Sequence, residues 1–330
     1  MIAYIDFLRF CAIILVANSH FKGVYPTDFL SFGGGFGLAL FYMVSGYLLS
    51  NISKEQKFYS WYLKRLANLY IPLWIIMGVE TAIGYVKIDG VDQFIRTFVF
   101  PGMWFTASMV IMYPLYYFFV RRIYGKYGIK SLKFAIYILS LSYVLMYILK
   151  PKWCLFSLEF LNIADEFSIE TPYIITHTAW ATCMLIGLYI RKHWDFKKPI
   201  KVSNHAILVG GCIALFFIIR IIEKTLNIYS LELFLPVTYI TFSYSMFAIC
   251  TALETMVNKY MGSKFGNIIT QISRSSIEIY YLQFIFIDKF RNMIFPVNWI
   301  VIVLSIIVSA MVFHNNIVSY IFNHLIRKRV

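Results

Sequence analysis

Charge is scarce in this 330-residue chain: Asp, Glu, Lys and Arg together make up 14% of it. A soluble domain carries about 25% charge and 45–50% apolar residues. Here 60% is apolar and the mean hydropathy is +0.70, which excludes a soluble protein of ordinary composition. Its 31 Phe, 25 Tyr and 7 Trp exclude disorder as well. Metal-type cysteine spacing is missing: Cys11, Cys154, Cys183, Cys212 and Cys250 form no CxxC pair, so neither a zinc site nor a disulfide framework is expected. Four of them lie in apolar runs, where Cys acts as a small hydrophobe. The segment Gly33-Gly34-Gly35-Phe36-Gly37 lacks the GxGxxG pattern and follows no strand, so it reads as a flexible outer loop and not as a dinucleotide site. No internal repeat is visible, and the longest stretch between apolar runs, 150–172, is too short for a separate domain. The chain reads as one polytopic domain over 1–330.

What is present is a series of long apolar runs. A helix needs about 20 mostly apolar residues to cross the hydrocarbon. Ten segments qualify, near 4–21, 33–50, 69–86, 103–120, 132–149, 173–190, 205–222, 233–253, 276–293 and 298–320. The first has no basic segment ahead of it and is long, which reads as a retained span and not a signal peptide. The expected fold is therefore all-α: a single bundle of about ten transmembrane helices. If the N-terminus lies in the cytoplasm, 20 of the 30 Lys and Arg fall in inner segments and 8 in outer ones, with Arg9 and Arg220 inside spans. The outer 150–172 loop carries Glu159, Asp165, Glu166 and Glu170. Membrane proteins collect cations on the cytoplasmic side, so both termini are expected there. The formal net charge of +14 is then a topological signal, and nucleic acid is not an expected partner.

Charged groups inside a span are costly and face a partner or a wet cavity. The first span holds Asp6, Arg9 and His20. Eleven residues at 100° each bring Arg9 and His20 onto one face, about 16 Å apart along the axis. Asp6 and Arg9, three apart, are neighbours able to pair. This pair serves equally as a topology anchor, and His20 as an interfacial residue, but an imidazole is also the side chain best suited to accept a proton near neutral pH. In the second span Ser45-Gly46 offers close helix packing or the approach of a ligand. The basic stretch around Lys64 and Arg65 leads through Asn68 to Pro72 at the third span. It reads as a positive-inside anchor or as cations for an anionic ligand. Glu80, Arg220 and Glu278 lie at depth, where they hold helices together or belong to a transport pathway.

In order along the chain these pieces resemble the bacterial integral-membrane acyltransferase-3 family. Asp6-Phe7-Leu8-Arg9 through His20 is similar to that family's Arg-x10-His motif, and Phe41 to Tyr47 to its Phe-Phe-x-x-Ser-Gly-Tyr stretch. Lys64-Arg65 up to Pro72 resembles its Arg-x-x-Arg element, Met103-Trp104-Phe105 its Leu-Trp-Phe signature, and Gly187 to Lys192 a Gly-then-basic motif. Ser275 to Gln283 resembles a Ser-Leu-x-Ile-Tyr-Leu-x-His stretch. Two positions depart from the pattern: Asn68 stands where a second arginine is common, and Gln283 where a histidine is.

The resemblance implies transfer of an acyl group, most often acetyl from acetyl-CoA as co-substrate and with no metal. The acceptor is a hydroxyl of an extracytoplasmic carbohydrate or lipid-linked glycan, and the setting a bacterial cytoplasmic membrane. It implies that His20 is the base and Arg9 its catalytic companion. Lys64, Arg65, Ser45 and Trp104 would serve the donor, and Asp6, Glu278, Tyr280 and Gln283 the acceptor. A secondary transporter or polysaccharide flippase is the competing expectation; no inverted repeat or matched pair of broken helices supports it.

Overall fold

The computed structural model describes residues 2–53, 55–99, 104–149, 172–194 and 200–321, and no strand occurs among them. The helices are α1 (Ala3–Ser19), α2 (Gly34–Leu49), α3 (Phe58–Ala82), α4 (Val91–Phe94), α5 (Trp104–Phe118), α6 (Gly125–Leu149) and α7 (Pro172–His193). They continue with α8 (Val202–Leu226), α9 (Leu235–Ala252), α10 (Glu254–Met261), α11 (Lys264–Arg274), α12 (Ser276–Phe290), α13 (Val297–Phe313) and α14 (Ser319–Ile321). Each of the ten expected spans overlaps a helix. Among the described residues five stretches are long and apolar enough to cross a membrane on length and composition: Asp28–Leu49, Phe105–Leu149, Val202–Leu226, Ser230–Ala252 and Val297–Ile321. Of the other expected spans, α1 at 17 residues and α12 at 15 are short, and Lys64 and Arg65 sit within α3. The acidic 151–171 segment, Lys197, Lys198 and Arg327 to Arg329 lie outside the described residues.

The expected 121–131 loop is instead helical. A π-helical turn, Phe119–Tyr124, joins α5 to α6, and the chain breaks direction at Gly128, whose φ of +60° suits glycine. The expected inner loop 254–275 is also helical: α10 and α11 fill it. Ser263 starts α11 by accepting the backbone N–H of Gly266 at 3.1 Å. Ile269 and Ile272 are buried while Phe265 and Ile268 stay exposed, so this short helix lies against the start of α1 with one apolar face inward.

Packing centres on α2, which contacts α1, α7 and α9. Leu8 and Ala12 of α1 and Ala39, Leu40 and Met43 of α2 are completely buried. At the α2–α7 crossing the two backbones touch. A Cβ added at Gly46 would stand 1.9 Å from the Met184 carbonyl oxygen, and one at Gly187 would stand 2.0 Å from that of Met43. Small residues permit such contact between membrane helices, which is the local role of Gly46. The glycine-rich segment expected to be a loop supplies the first turns of α2. Gly35 lies under the Tyr239 ring and Gly37 against the Ala12 carbonyl, so tight packing fixes a sequence whose intrinsic freedom suggests a loop. Arg220, buried in α8, pairs with Glu223 at 2.7 Å and with Glu232. This ties the end of α8 to the Tyr229–Phe234 turn and gives the cation a structural role.

Candidate functional site

α1 carries a stripe formed by Arg9, Ile13, Val16 and His20, at spacings of four, three and four. The first three line a cavity of about 630 Å³ enclosed by α1, α2, α3, α5, α12 and the 314–319 segment. That size falls within the range of small-molecule sites, roughly 300–1,000 Å³. α12 lies beside α1 and carries a parallel stripe: Ile277 and Tyr280 line the cavity, and Phe284 comes one turn later. The Phe284 ring meets the His20 ring edge-on, with centroids 5.0 Å apart. His20 caps the end of α1 and is not part of the cavity lining; Phe284 stands against it where the two stripes end.

The cations gather at the other end. Arg9, Lys64, Arg65 and Arg274 all line the cavity. Asp6 is buried and lies 3.9 Å from Arg9, close enough for attraction and too far for a hydrogen bond. The Arg9 donors are therefore not consumed by Asp6. Arg65 stacks over the Trp61 ring at 5.7 Å, one turn earlier on α3, and its buried Nε has no hydrogen-bond partner. Packing thus holds this guanidinium in place while leaving hydrogen-bonding capacity open. Asn68, in the position of the absent second arginine, also lines the cavity.

Of the other expected site residues, Ser45, Glu278 and Tyr280 line the same cavity. Glu278 is fully buried and shares a hydrogen bond of 2.8 Å with Nδ1 of His314. Phe105 lies edge-on to Tyr280 at 5.6 Å, giving the middle of the cavity an aromatic wall. Gln283 is completely buried, does not line the cavity, and neither of its side-chain polar atoms has a hydrogen-bond partner. The Trp104 side chain and Met103 lie outside the described residues. Glu80 is buried on α3 away from the lining. Among the described residues no three His, Cys, Asp or Glu side chains gather as metal ligands.

Sequence reasoning did not single out Arg274 or His314 as site residues. Arg274 was legible only as one more inner cation, because its entry into the cavity depends on how α11 docks. His314 is an isolated imidazole in an apolar run, with no spacing signal to Glu278.

The arrangement sets a cation-rich pocket and an imidazole on one stripe of α1, with apolar Ile13 and Val16 between them, within a membrane bundle. Neither curated proteins nor solved structures gave a match. The family model described as an acyltransferase domain, Acyl_transf_3, matches residues 2–313. That match takes in all of the stripe on α1, the basic turn of α3 and α12, and the chain belongs to the acyltransferase-3 family, as a multi-pass membrane acyltransferase.

Proposed function

We propose that this chain moves an acetyl group from cytoplasmic acetyl-CoA to a hydroxyl of a carbohydrate on the far side of a bacterial cytoplasmic membrane. The observation carrying this reading is the single α1 stripe that starts at a cationic pocket and ends at His20. Arg9, Arg65, Lys64 and Arg274 suit the phosphates of a polyanionic donor. Ile13, Val16 and Tyr280 suit an extended and largely apolar arm. The distance of about 16 Å from Arg9 to His20 along the helix is comparable to the reach of a pantetheine arm. The inner bias of the Lys and Arg residues puts the cationic end toward the cytoplasm.

The step is a direct transfer. An imidazole nitrogen of His20 takes the proton of the acceptor hydroxyl as its oxygen attacks the thioester carbonyl carbon. The new C–O bond forms, the C–S bond breaks, and the imidazolium returns its proton to the departing thiolate. Phe284 bounds the ring on one side. The base must be neutral to begin, so turnover falls toward low pH.

The test is purified protein in detergent given acetyl-CoA and a panel of cell-surface glycans. Free CoA released together with acetylated glycan is the expected result. Membrane passage of glycan driven by a gradient, with acetyl-CoA left intact, is the result of a carrier and overturns the reading.

A further inference from the structure

His314 lines the cavity and has a defined hydrogen-bond partner. It opens the π-helical turn His314–Val318, a wider turn that redirects side chains and recurs at functional sites. His314, Val318 and Ser319 consequently line the cavity together. Nδ1 of His314 lies 2.8 Å from Oε1 of Glu278, whose side chain is 0% exposed against 21% for the imidazole. A carboxylate only accepts hydrogen bonds, so the shared proton sits on Nδ1. The buried acid therefore orients the ring from behind, as a carboxylate orients an imidazole that binds or catalyses. Nε2 is left as the ring's second polar atom, in a residue that lines the cavity together with Arg9, Arg65 and Arg274. Asp6, Glu278 and Arg274 are the charged neighbours of Arg9, so Glu278 acts on both the imidazole and the guanidinium. Its second oxygen, Oε2, is sealed from solvent without a hydrogen-bond partner.

We propose that His314, held by Glu278, is an anion-binding residue of the cavity: the ring takes up a second proton as the anion binds, and its Nε2–H then donates to a phosphate oxygen beside Arg9 and Arg65. The ligand class is a phosphate or pyrophosphate ester. This inference rests on the reading of the cationic end as the donor site. It adds a residue, and a positioning carboxylate behind it, to which no role in binding the donor was assigned.

Two substitutions separate binding from mere packing. His314→Asn keeps an amide donor where Nδ1 serves Glu278 and removes the group at Nε2. His314→Gln puts its donor near Nε2 and gives up the bond to Glu278. Equilibrium binding of CoA and of inorganic pyrophosphate to the full chain in detergent reads the difference. Binding by His314→Asn weakened about tenfold or more, the scale of one charge-assisted hydrogen bond, with His314→Gln within about threefold of the unsubstituted protein, is expected. The reverse order shows that His314 serves only to pair Glu278, and it overturns the proposal, as does unchanged binding in both variants.

Pyrophosphate binding in the expected pattern without CoA binding upholds the anion site and removes the acyl-CoA donor reading. Failure of the unsubstituted protein to bind either probe overturns the anion site. Where a variant does not fold, or both weaken binding alike, carbethoxylation of His314 in the unsubstituted protein decides, followed by peptide mass spectrometry. Protection by pyrophosphate supports the proposal, and an unchanged modification rate overturns it.

Discussion

Arg65 shows how a single residue is prepared for a ligand. Trp61 supports its guanidinium from one turn away, and its Nε is buried with no hydrogen-bond partner. Leaving a buried donor unsatisfied costs about 1–3 kcal/mol, a cost that an arriving phosphate would remove. Arg65→Ala should therefore raise the Michaelis constant for acetyl-CoA by about 10- to 100-fold, corresponding to the loss of about 1.5–3 kcal/mol for a charged hydrogen bond. The acceptor dependence should stay nearly constant. Steady-state kinetics with each substrate varied in turn checks this, and a defect confined to the acceptor would contradict it. Arg9 and His20 were legible in sequence because both lie on one helix, where the period alone sets which face they share. The pairing of Glu278 with His314 was not, since 36 residues and the packing of α12 against α13 separate them before they meet.

At the scale of helices, the crossing of α2 and α7 is the tightest constraint. Gly46→Ala would force a methyl to within 1.9 Å of the Met184 carbonyl. The helices must separate to admit it, and overpacking of this kind costs about 1–3 kcal/mol. A lowered midpoint of thermal unfolding in detergent is expected for Gly46→Ala and for Gly187→Ala. An unchanged midpoint would mean that the contact is looser than described. The apolar runs made the spans easy to locate, because one long hydrophobic window suffices. The elements that composition obscured are those whose state is decided by neighbours. Gly34 to Gly37 has loop-like freedom, yet Tyr239 and the backbone of α1 hold it as helix. α11 is short and polar on one face, and gains its place by laying Ile269 and Ile272 on the bundle.

For the whole molecule, the proposed function divides the reaction between two sides of a membrane. On that proposal, and on the positive-inside pattern, the cationic end of the cavity would face the cytoplasm and His20 the far side. Asp89 lies in the exposed turn after α3 and Lys264 at the exposed start of α11. In intact cells an impermeant thiol reagent should label a cysteine placed at Asp89, and should label one at Lys264 only after permeabilisation. The opposite pattern would invert the molecule and part the cations from a cytoplasmic donor.

The central claim is that His20 receives the acceptor's proton at the far end of the Arg9 stripe. Acyl transfer by His20→Ala protein, present in the membrane at unaltered levels, tests it most directly. Turnover should fall by about 10²–10⁴-fold, the usual contribution of positioned proton transfer, while CoA binding stays within a few-fold of normal. Near-normal turnover by His20→Ala would contradict the account and leave the cavity without its base.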